Sequence, residues 1–103
     1  MMNEEELIEL LEDEWDAGTD TGFFEHFRGG NFESESFERV LGLINKINFG
    51  DHLLIDRRIV GLIWFMPNLM RINLWRFEEK EHCKILSAIE ELEGTLMRLF
   101  GGP

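Results

Sequence analysis

The sequence predicts an all-α fold, a small single-domain bundle of four to five helices with short loops. Three observations carry that expectation: separate apolar patterns recur at three-to-four-residue spacing, capping residues stand at their starts, and strand signals are nearly absent. The 103 residues are 44% hydrophobic and 12% aromatic, enough apolar mass for a single core and within the size of one domain. A net charge of −11, from 10 bases against 21 acids, would suit a disordered chain, but nine Phe, three Trp and five Met are too many for a solvated tail.

Asn3 opens the first helix, because its side chain can accept from backbone N–H groups while Glu6, three residues on, can reach back. Leu7, Leu11 and Trp15, flanked by Ile8 and Leu10, make its apolar stripe, and Gly18 is expected to end it. Thr19, Asp20, Thr21 and Gly22 are turn formers. Phe23, Phe24 and Phe27 then crowd a short helical turn, an aromatic plug stopped by Gly29 and Gly30. A second long helix is expected over 33–47, with Phe37, Val40, Leu41, Ile44 and Ile47 on one face and Asn31 or Ser34 as cap.

Asn48, Phe49, Gly50 and Asp51 read as a loop, and Asp56 as the cap of the helix that starts with Arg57 and Arg58. The β-branched residues Ile59, Val60 and Ile63 leave a buried strand open there, though length favours helix. Pro67 should end or kink this helix near Met66, since proline lacks the amide donor and crowds the previous turn. From Asn68 the pattern restarts and runs through Glu78 to Phe100, where Ile85, Ile89, Leu92, Leu96 and Leu99 make a packing stripe closed by Gly101, Gly102 and Pro103. The apolar stretch from Ile59 to Met70 falls short of the roughly 20 residues a bilayer requires. No membrane span is expected.

Charge is segregated along the chain. The first twenty residues hold Glu4, Glu5, Glu6, Glu9, Glu12, Asp13, Glu14, Asp16 and Asp20 with no Lys or Arg, whereas Arg57, Arg58, Arg71 and Arg76 span a stretch without acid. Two readings of the acidic helix stand side by side. Its polar face is solvated or lies against those arginines, or it fits the cationic groove of a nucleic-acid-binding protein, supplying charge where phosphates would sit. Direct binding to DNA or RNA is not expected, because such affinity comes from Lys and Arg neutralising phosphates.

Other positions point less sharply. Trp64, Phe65, Met66, Leu69, Met70, Leu74, Trp75 and Phe77 are too many for one helix face, so some should be covered by a second copy or by a partner. Glu79, Lys80, Glu81 and His82 contain one Glu-x-x-His, which puts a carboxylate and an imidazole one helical turn apart. Locally, over about five residues, this resembles the metal helix of ferritin-like proteins, which would make Glu79 and His82 ligands; the sequence has no second Glu-x-x-His, and the preceding apolar helix lacks a bridging acid. His26, His52 and Cys83 are isolated, and no nucleophile elbow or phosphate loop is present. Neither a metal nor a cofactor is expected, and no catalytic residue.

One unpaired Cys83 and an acidic start without a basic, apolar leader suggest a cytoplasmic protein. The first functional expectation is a small acidic binding protein, of the kind of a bacterial immunity protein or an antitoxin-like inhibitor of a basic toxin such as a nuclease. Glu9, Glu12, Asp13, Asp16 and Asp20 would steer and pair with that basic partner, and an exposed Trp15 would anchor it. The alternatives are a structural or adaptor homodimer built on the central aromatic segment, and a ferritin-like metal protein using Glu79 and His82.

Overall fold

Asn3 caps the first helix through its side-chain oxygen, which accepts from the backbone N–H of Glu6 at 2.8 Å. The computed structural model describes residues 3–16, 22–47 and 56–101, and among them six α-helices, two 3₁₀ turns and no strand. The helices are α1 (Glu4–Trp15), α2 (Phe23–Arg28), α3 (Ser34–Asn45), α4 (Arg57–Ile63), α5 (Met66–Ile72) and α6 (His82–Phe100). The expected stop at Gly18, the turn at Thr19, Asp20 and Thr21, the loop at Asn48, Phe49, Gly50 and Asp51, His52, and the terminal Gly102 and Pro103 lie outside the described residues.

One continuous core gathers the expected stripes. Leu7, Ile8 and Leu11 of α1 meet Phe37, Val40, Leu41 and Ile44 of α3, and Ile85, Ile89, Leu92 and Leu96 of α6 close the other side. α1 packs on α2, α3 and α4, while α6 packs on α3 and α5, so α3 stands between the two ends of the chain. The shortest extent is 20 Å, which is about two helix diameters: the molecule is two layers deep.

α2 is the aromatic plug. Phe23, Phe24 and Phe27 are fully buried, and Phe23 has Phe24, Phe27, Phe32 and Phe37 within 5.8 Å, ring centre to ring centre. Edge and tilted arrangements dominate, as ring quadrupoles favour. Gly22 lets this plug approach α1: a β-carbon there would lie 2.7 Å from the carbonyl oxygen of Asp13 and 2.9 Å from that of Glu14.

Several expectations are corrected. The N-cap position of α3 is Glu33, not Asn31 or Ser34; its carboxylate instead accepts from Asn31 Nδ2 and Ser36 Oγ, both at 3.2 Å. The break around Pro67 falls earlier, at Trp64 and Phe65, and Met66 already belongs to the next helix. The reason is that proline has no N–H for the Ile63 carbonyl one turn back and crowds it, whereas in the first turn of α5 it is tolerated. The segment from Asn68 to Phe100 is two helices, not one. Asn73 Nδ2 donates to the Leu69 carbonyl at 2.8 Å, Phe77 takes extended backbone to reach Phe27, and the chain passes through 3₁₀ turns before α6 begins. Gly101, in the left-handed region at φ 69°, ends α6 as its composition suggested.

Gly22→Ala should cost about 1–3 kcal/mol, because the obstructing atoms are backbone and cannot rotate away. Chemical denaturation of the variant should show a lowered midpoint with little change in slope.

Candidate protein-binding surface

α1 carries two kinds of carboxylate. Glu5, Glu9, Glu12, Asp13 and Asp16 are exposed and follow one another at helical spacing along the face opposite Leu7 and Leu11. Glu14 is buried. It lies on the Leu7 and Leu11 stripe and takes a two-pronged ion pair from Arg39 of α3, Nε to Oε2 at 2.6 Å and Nη2 to Oε1 at 2.8 Å. Its Oε1 also accepts from the backbone N–H of Phe23 at 3.0 Å, an N–H at the first turn of α2 with no partner inside that helix. The bond from Glu14 holds the Arg39 guanidinium even more firmly protonated than usual.

The exposed acids work against their own helix. Acids in the first turn suit the positive end of the helix dipole, and Glu4, Glu5 and Glu6 stand there. Glu12, Asp13 and Asp16 crowd the negative end, with no base in the last turn, and Glu5, Glu9 and Asp13 repeat at four-residue intervals as like charges. Each such placement costs a few tenths of a kcal/mol, up to about 1. The helix dipole does not favour them.

The arginines of the middle segment go to several partners. Arg58 reaches α1, with Nη2 2.7 Å from Glu5 Oε1, and also holds its own cap Asp56 at 2.9 Å. Arg71 pairs instead with Glu93 of α6, at 2.7 and 3.0 Å, and Arg76 lies 4.6 Å over the ring of Trp75 with its Nε donating to Asn73 Oδ1. Arg58 thus brings one arginine of the middle segment onto α1, at Glu5.

Trp15 is not the exposed anchor the sequence suggested. It is half-buried, stacked on Phe24 at 4.2 Å, and its indole N–H donates to the Leu62 carbonyl at 2.8 Å, tying α1 to the last turn of α4. Among the described residues the exposed aromatics are Trp64 and Trp75, which flank α5, and Phe100 at the end of α6. Asp20, the last acid of the expected partner set, lies outside the described residues. Glu79 and His82 are not one turn apart on a single α-helix: Glu79 sits in a 3₁₀ turn, and His82, the first residue of α6, has Nε2 3.1 Å from the Phe77 carbonyl oxygen. Among the described residues no group of three or more His, Cys, Asp or Glu side chains is placed to hold a metal ion, and no helix is long and apolar enough to cross a membrane.

Comparison with known protein families, with curated proteins and with solved structures finds no match. Sequence reasoning passed over Glu14 and Arg39. The available signal was position, since Glu14 is three residues from Leu11 and seven from Leu7, on the stripe that faces the core.

Glu14→Ala should cost about 2–3 kcal/mol, because it leaves the Phe23 N–H without its acceptor and removes a charge-assisted pair; Glu14→Gln, which keeps an acceptor, should cost less. Thermal unfolding of the two variants separates the contributions. The bonds from Arg58 and from Arg71 hold Asp56 and Glu93 below the ordinary carboxylate range. A carboxylate lowered in this way contributes stability that is complete above its unfolded value and lost as pH falls through its folded value. Carboxyl titration by NMR should show Glu93 protonating at lower pH than an unpaired glutamate, and Arg71→Gln should return it to the ordinary range.

Proposed function

We propose that the chain is a small acidic binding protein that performs no chemistry of its own and docks a basic protein through the outer face of α1, in the manner of an immunity protein or antitoxin-like inhibitor of a basic toxin such as a nuclease. The observation that carries the reading is the line of exposed acids from Glu9 through Glu12 and Asp13 to Asp16, retained where it works against the helix dipole. A field of one sign on one face speeds encounter with an oppositely charged surface and repels nucleic acid that would compete for it. The pairing of the buried Glu14 with Arg39 keeps that face on a fixed support, so little ordering is required on docking. The exposed thiol of Cys83 fits a bacterial cytoplasm, where thiols stay reduced.

The test uses the intact chain as bait against lysate and against a panel of basic ribonuclease and deoxyribonuclease toxin domains. A complex should form whose association slows as salt rises, since exposed charges are screened over roughly 8 Å at physiological ionic strength. Reversing Glu9, Glu12, Asp13 and Asp16 to Lys should slow association by about tenfold or more while the helical circular dichroism signal is kept. Association unchanged by the reversal, measured by stopped flow, would remove α1 as the docking face.

A further inference from the structure

We infer that the outer face of α5 is a self-association surface on which a second copy of this chain packs about a two-fold axis. Asn68, Arg71 and Ile72 are exposed on α5, Trp64 just before it and Trp75 in the 3₁₀ turn just after it, while Met66, Leu69 and Met70 are buried in the core. Trp64 is 56% exposed, Ile72 60% and Trp75 71%. From Arg57 to Phe77 the chain carries no acid, although the whole chain has 21. Aromatic side chains and arginine are enriched at interface centres, and here they stand together on a segment that contributes no carboxylate of its own.

The area agrees with a second copy as the occupant. A tryptophan side chain offers on the order of 200 Å², so these three residues leave about 350 Å² of apolar surface. Arg71 joins this strip to α6 through Glu93, and Met97, one turn further along α6 and 54% exposed, adds about 100 Å² more. One side of a standard dimer interface covers about 800 Å², of which about two-thirds is apolar, so the strip and its α6 margin come close to supplying what a stable dimer needs. Arg76 is held against this strip, its guanidinium 4.6 Å over the Trp75 ring and its Nε donating to Asn73 Oδ1. The strip on and around α5 is a different part of the fold from the α1 acids proposed to dock a basic protein.

Sedimentation velocity of the intact protein alone, from micromolar to millimolar concentration, should show a monomer passing to a dimer. Because each copy carries a net charge of −11, added salt should strengthen the dimer, the opposite of its effect on docking through α1. Ile72→Lys, a change at an exposed position, should weaken association by about tenfold or more. A readout without any substitution is acrylamide quenching of tryptophan fluorescence, which should fall as the dimer forms, because Trp64 and Trp75 become covered while Trp15 is already packed on Phe24. A monomer throughout the range, a dimer indifferent to Ile72→Lys, or quenching independent of concentration would each overturn the proposal.

Discussion

A single buried carboxylate holds the first half of the molecule together. Glu14 reaches from α1 to the Arg39 guanidinium of α3 and to the first turn of α2, so three helices meet on two oxygen atoms. A carboxylate can stay in an apolar setting when its charge is paired and both oxygens accept hydrogen bonds, and both conditions are met here. The half-exposed Arg39 lowers the penalty further, because its outer side remains in water. The close passage of Gly22 over the last turn of α1 depends on the same junction, since the chain must come near enough for the Phe23 N–H to reach Glu14. The buried aromatic plug follows from that approach.

The second half is organised by interruptions. Pro67 forces the chain to leave one helix and begin another, which leaves carbonyls at the end of α4 without partners inside the helix, and the Trp15 indole fills one of them at Leu62. The same break limits α5 to seven residues, too short to be stable by itself, so it depends on packing against α6. A short helix can bury a narrow stripe only. Met66, Leu69 and Met70 use that stripe, and the large side chains on the other side remain in solvent.

Much of this fold was legible from local pattern. The Asn3 cap, the phenylalanine plug and the α6 stripe each depend on residues within a turn or two of one another, and local rules were enough to find them. The points missed are those where a distant partner decides. Phe77 leaves helical geometry to pack on Phe27, far back in the chain, and nothing near Phe77 announces that contact. Trp15 looked available because its spacing says nothing about what its indole N–H meets. In the candidate site, the exposed acids of α1 could be read directly, but separating Glu14 from them required asking which acid shares a face with Leu7 and Leu11.

The 20 Å depth has a consequence for how such a molecule changes over evolutionary time. With two layers of helices, the longer helices α1, α3 and α6 show one side to the core and the other to water. Outer positions such as Glu9, Glu12 and Ile72 can drift without disturbing Leu11 or Met70 on the opposite sides of their own helices. The outer surface is thus free to diverge at the pace of surface substitution, while the inner stripes and the buried carboxylate keep the same scaffold beneath it.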